Sequence, residues 1–151
     1  MYWSEKVDLI KKTYPAPAFR DMFRQGGNVI EKIIRRFHHA SYLTFTQSDN
    51  PKVLLKSSQF INEIASPQLE SYLEQRLETN QNYWLFLLNT PMGKPFQVYD
   101  CQQKPLINLY YSAYPMHQRF YIVDKKYRWL LFFEQQSKTD TICIYESKQE
   151  L

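Results

Sequence analysis

The sequence predicts an α+β domain, with N-terminal helices packed on a mostly antiparallel sheet that ends in a three-stranded meander. Three observations carry this. Apolar residues recur at helical spacing through residues 3–37. From about residue 83 the pattern changes to short, ring-rich strands separated by turn residues. The last of these, HQRFYIV, YRWLLFFE and TICIYE, are joined only by short polar turns, as consecutive antiparallel strands are.

The elements follow in order. Trp3, Val7, Ile10 and Tyr14 share one helical face, and Pro15 and Pro17 end that helix. A short helical segment is expected around Phe19, Met22 and Phe23, broken at Gly26-Gly27. Asn28 with Glu31 three residues on has the form of an N-cap and its reciprocal partner. The next helix carries the stripe Val29, Ile30, Ile33, Ile34 and Phe37, with Arg35, Arg36, His38 and His39 in its last turn, where the helix dipole favours positive charge. Leu43 and Phe45 then alternate with Tyr42, Thr44 and Thr46 as in a half-buried strand, and KVLLK at 52–56 reads as a second one. A polar connection with one helical turn is expected around 60–64. Ser66-Pro67 opens a helix with Leu69, Leu73 and Leu77 on one side, ending near Asn80.

YWLFLL at 83–88 is apolar throughout, which is how a central strand covered on both faces reads. QVYD forms a further strand, and KPLINLYYSA at 104–113 a short helix starting near Pro105. In FYIVDKKYRWLLFFE, Phe120 and Ile122 face one way and Tyr121 and Val123 the other; Trp129, Leu131 and Phe133 oppose Arg128, Leu130 and Phe132. Both faces are largely apolar, so these rings belong to a core. A nucleic-acid platform would need them on an open face.

Composition bounds the function. The 151 residues suit a single domain spanning 1–151. Aromatics at 17% with only 3 glycines supply ample surface to bury and argue for a folded chain. The net charge of +4 is small and scattered, which makes nucleic acid an unfavoured partner. Charges at Glu5, Lys6 and Asp8 interrupt what a secretory signal would need, and no apolar run reaches membrane-spanning length; a soluble cytoplasmic protein is expected, with Cys101 and Cys143 as free thiols.

No phosphate-binding glycine loop, zinc spacing or GxSxG serine is present, so no cofactor, metal or catalytic residue is assigned and the chain is read as a non-enzyme. The alternative is a small RNA-binding or metal-independent RNA-cleaving domain. It would use Arg35, Arg36, Lys125, Lys126 and Arg128 with His39 or His117; His39, His117 and Lys125 form the one credible acid-base set. The most ordered charge pattern is acidic. Glu70, Glu74 and Glu78 at four-residue spacing form one edge of the Leu69–Leu73–Leu77 helix, at a cost of a few tenths of a kcal/mol per pair from like-charge repulsion. These three, extended by Glu63, are the partner-binding candidates.

The run RFYIVDKKYRWLLFFEQQ, followed by a short polar turn and TICIYE, resembles the closing hairpin of small bacterial α+β proteins, and MYWSEKVDLIKK resembles their start. Several such proteins look like immunity proteins, cytoplasmic antidotes to polymorphic or contact-dependent growth-inhibition toxins. The resemblance implies stoichiometric occlusion of a cognate toxin by a surface, without chemistry. One departure is local: where those relatives carry an Asn-His-His-Asp turn after the long strand, this chain has Glu134 to Asp140, so any role of those histidines is absent.

Overall fold

The computed structural model describes residues 3–22, 26–39, 51–88, 97–113, 119–136 and 138–149. Its helices are α1 (Trp3–Thr13), α2 (Gly26–Phe37), the single turn α3 (Pro51–Leu54), α4 (Leu69–Arg76) and α5 (Gln103–Ala113). Its strands are β1 (Phe19–Asp21), β2 (Gln59–Ala65), β3 (Tyr83–Leu87), β4 (Gln97–Cys101), β5 (Arg119–Asp124), β6 (Trp129–Gln136) and β7 (Thr141–Lys148). All seven strands form one sheet in the order β1-β4-β3-β5-β6-β7-β2, antiparallel at every step. The α+β class and the closing meander β5-β6-β7 stand as the sequence predicts.

Strand alternation sends side chains into two separate cores. On one face, Leu85, Leu87, Phe120, Ile122, Leu131 and Phe133 meet α1 through Val7 and Ile10, α4 through Leu69 and Leu73, and α5 through Leu106, Ile107 and Leu109. On the other, Trp84, Phe86, Tyr121, Val123, Leu130 and Phe132 meet α2 through Val29, Ile30, Ile33, Ile34 and Phe37. Every residue of β3 is buried, as a central strand with cover on both sides requires.

The second face holds an aromatic row set by register. Phe86, Tyr121, Phe132, Tyr145 and Phe60 are successive cross-strand partners on β3, β5, β6, β7 and β2. Their ring centroids lie 5.5, 5.7, 5.7 and 5.5 Å apart in turn. Such pairs add about 0.5–1.5 kcal/mol each beyond area burial. The row runs from a fully buried ring, Phe86, to one that is 57% exposed, Phe60.

Several local expectations differ. Residues 19–21 are a strand rather than helix: Phe19 enters the first core beside Tyr99, ring centroids 5.7 Å apart, and pairing with β4 outweighs the weak helical spacing. The α2 helix begins at Gly26, so Asn28 lies inside its first turn and is not the cap. Gly26 packs closely there: a Cβ would meet Val98 Cγ1 at 3.1 Å, so Val98 would have to give by a few tenths of an ångström. In place of a KVLLK strand the chain makes α3, with Leu55 bridging His38. Residues 59–65 are the edge strand β2 rather than a connection; only Ile64 is buried along it, so it carries little hydrophobic pattern to read. Ser66–Gln68 forms a 3-10 turn leading into α4, which stops at Arg76, short of Asn80, where Leu77 turns extended. The expected strand at 41–46, Phe23 and Pro115 lie outside the described residues.

Two-sided burial makes a direct prediction. Phe132→Ala should cost about 3–5 kcal/mol through lost transfer energy and a cavity, whereas Phe60→Ala, in the same row, should cost no more than about 1 kcal/mol. Urea unfolding midpoints of the two variants check this.

Candidate functional site

The predicted acidic candidates are exposed, but the structure separates them. Glu70 and Glu74 stand on the solvent side of α4, with Leu69 and Leu73 buried behind them, as their spacing implied. Glu78 lies past the end of α4, and its backbone N–H donates to the Tyr83 hydroxyl at 2.9 Å, so the three-rung ladder has two rungs. The helix end is fixed by Gln103, whose Nε2 donates to the carbonyls of Glu74 and Leu77 at 2.9 and 2.8 Å, supplying acceptors' partners that a helix terminus otherwise lacks. Glu63, on β2, pairs with Cys143 on β7, and its neighbour Ile64 enters the core beneath α4. Alternation therefore points Glu63 to the opposite face of the sheet, away from Glu70 and Glu74.

Glu63 instead belongs to the β2 edge. There Phe60 and Ile61 are 57% and 43% exposed and adjacent, beside Asn62 and Glu63. The pairing with β7 shifts between Phe60 and Asn62, which leaves Ile61 as a bulge residue. Among the described residues no strand pairs the outer side of β2. A sheet edge of this kind offers backbone donors and acceptors together with apolar side chains.

The cations nominated for RNA binding are largely engaged by carboxylates. Arg35 pairs with Glu31 one turn away, and Arg128 Nε lies 3.0 Å from Asp124 Oδ2. Asp124 Oδ1 also accepts the backbone N–H groups of Arg128 and Trp129 at 2.6 and 3.0 Å, so this buried carboxylate shapes the β5-β6 turn. Arg36 Nε donates to the Tyr127 carbonyl at 3.2 Å. Lys126 and the His39 side chain are exposed. His38, by contrast, is buried on the second core, its Nε2 2.8 Å from the Tyr121 hydroxyl. Burial pushes that phenol well above its ordinary value. His117 lies outside the described residues.

Lys125 takes part in a cluster that the sequence does not announce. Asp100 on β4 pairs across the sheet with Arg20 on β1 and Trp84 on β3. Its Oδ2 receives Arg20 Nη2 at 2.7 Å, Arg20 Nε at 3.2 Å and Lys125 Nζ at 2.9 Å; its Oδ1 receives Asn82 Nδ2 at 2.8 Å. Lys125 Nζ also sits 3.4 Å from the centre of the Trp84 ring, a close cation–π contact. Burial acts to raise the Asp100 carboxyl, but hydrogen bonds from Asn82, Arg20 and Lys125 together outweigh it and hold the group below the ordinary 3.8. The cue in the sequence is an aspartate in an otherwise apolar strand, VYDC; its partners come from positions 80, 18 and 25 residues away, which no spacing rule connects.

Cys101 and Cys143 form no disulfide with each other. They sit on β4 and β7, four strands apart in the sheet order, or about 19 Å at normal strand spacing, too far for a disulfide. No helix among the described residues is long and apolar enough to cross a membrane.

The fold and these sites define an α+β protein whose antiparallel sheet is covered by helices on both faces and, among the described residues, ends at β2. The chain belongs to the family of unknown function DUF6756, which matches residues 9–151. No curated protein and no solved structure shows significant similarity to it.

The Asp100 cluster sets a pH dependence. A carboxyl depressed in the folded state contributes stability that is present above its unfolded pKa and is lost as pH falls through the folded one. Wild type should therefore lose stability below about pH 4, and Asp100→Asn should be less stable than wild type at pH 7 with a flatter acid limb. Thermal melts from pH 2 to 7 measure both; equal acid limbs would rule out this role for Asp100.

Proposed function

We propose that this chain is an immunity protein, which binds a cognate bacterial toxin in the cytoplasm and neutralises it by stoichiometric occlusion through the β2 edge. The observation that carries this reading is the pair Phe60 and Ile61, exposed side by side on a seven-residue edge strand. Phe60 ends an aromatic row whose other members are held by the core. A partner that covers it extends an ordered surface and so loses little additional side-chain entropy. The outer side of β2, which no strand among the described residues pairs, suits strand addition, in which backbone hydrogen bonds supply affinity and side chains specificity. Glu63 on the same strand adds a charge that selects a basic group. The resemblance of the closing hairpin to that of bacterial immunity proteins supports the same reading. Glu70, Glu74 and Glu78 are a second, separate acidic surface for the toxin.

The test is growth rescue, in which the C-terminal domain encoded immediately upstream of this gene is expressed in a sensitive bacterium with and without this protein. Protection is expected, with a Kd in the nanomolar range that suits a lethal target. Phe60→Asp combined with Ile61→Asp should leave the protein folded and weaken binding about 30-fold or more, as loss of an interface hot spot does. Glu63→Lys should weaken it less. Full protection by the double variant would move the interface off β2; loss of protection on reversing Glu70, Glu74 and Glu78 to lysine would place it on α4. An upstream domain that is harmless, or that kills regardless, would overturn the reading.

A further inference from the structure

A charge count at the Asp100 cluster leaves one positive charge over. Two cations, Arg20 and Lys125, come from different elements and converge on one carboxylate, each within 2.9 Å of the same oxygen. Arg20 holds β1 and Lys125 holds the β5-β6 turn against β4, and bringing both to one carboxylate places two like charges side by side. Asp100 is almost wholly buried, whereas the Arg20 side chain is 55% and the Lys125 side chain 31% exposed, so the surplus charge faces solvent. The floor is Trp84, whose ring carries Lys125.

We propose that Arg20 and Lys125 form a receptor for one carboxylate group, with Asp100 and Trp84 holding the two cations in place. The guanidinium fork of Arg20 turns one side to Asp100, through Nε and Nη2, and its remaining N–H groups stay available for a second planar carboxylate. A single negative charge brings the cluster to neutrality, two cations against two carboxylates, which suits a carboxylate better than a dianionic phosphate. Because Lys125 rests on an aromatic ring and Arg20 is anchored by two hydrogen bonds, little side-chain freedom is left to lose on binding. Such a carboxylate reaches the site either as a small free acid or as a Glu or Asp side chain of a protein. The site is independent of β2, which closes the opposite end of the strand order, so the two ideas fail separately.

The experiment is an NMR titration of the full chain with acetate, with the acidic peptide acetyl-Glu-Glu-Glu-Glu-amide, and with sodium chloride at matched ionic strength. The Trp84 indole N–H, assigned through Trp84→Phe, and the Arg20 Nε–H are followed. Saturable shifts of both signals with acetate or peptide, absent with chloride, are expected. Binding should weaken about tenfold in Arg20→Gln, the value of a lost charge-assisted hydrogen bond. Tighter binding of the peptide assigns the ligand to a protein side chain; equal binding per carboxylate assigns it to a free acid. Arg20 is the more exposed cation, so Arg20→Gln tests the site even if Lys125→Met unfolds. Shifts that chloride reproduces, or that survive unchanged in Arg20→Gln, would overturn the proposal.

Discussion

The strands β3, β5 and β6 bury both of their faces, and this requirement organises the rest of the molecule. A strand with apolar side chains on both sides needs cover above and below, so helices must occupy both faces of the sheet. The α1, α4 and α5 helices take one side, and α2 takes the other. Register is fixed by the same burial. A one-residue slip of β5 against β6 would exchange the Tyr121–Phe132 partnership of one core with the Phe120–Phe133 stack of the other, and both are fully packed.

Polar groups drawn into so apolar a sheet must be satisfied where they sit. The buried aspartates stand at the end of the sheet where β4 and β5 finish. Asp124 is used locally, to form the turn into β6, and Asp100 is used across the sheet, to hold β1 and the β5-β6 turn on β4. Gln103 performs the corresponding task between helices, closing the end of α4 from the start of α5. His38 and Tyr121 pair within the second core. Apart from the local Asp124 turn, these contacts join elements distant in sequence, so the sheet ends and helix ends are held by different chemistry from its centre.

The two ends of the strand order contrast. At β1 a three-residue strand is anchored by an ion-pair cluster, and at β2 a seven-residue strand carries Phe60 and Ile61 into solvent. The aromatic row that packs the second core leads to that edge, so the surface proposed to meet a partner is continuous with the rigid interior. The acidic spacing on α4 survives as an exposed pair, Glu70 and Glu74, while Glu63 belongs to the opposite face of the sheet.

The sequence by itself determined the elements whose pattern is dense. The stripe of α2, the leucines of α4, the wholly apolar β3 and the alternation through β5 and β6 follow from burial, and burial writes a period into the chain. It also placed the rings of FYIVDKKYRWLLFFE in the core, where Phe120, Tyr121, Phe132 and Phe133 are found. Only the tertiary structure decided the edges and the polar clusters. The strands β1 and β2 exist because β4 and β7 offer them hydrogen bonds, and an edge strand with exposed side chains needs no hydrophobic period of its own. The Asp100 cluster gathers Arg20, Asn82, Trp84 and Lys125 through strand order, and strand order is a property of the folded sheet that local spacing does not encode.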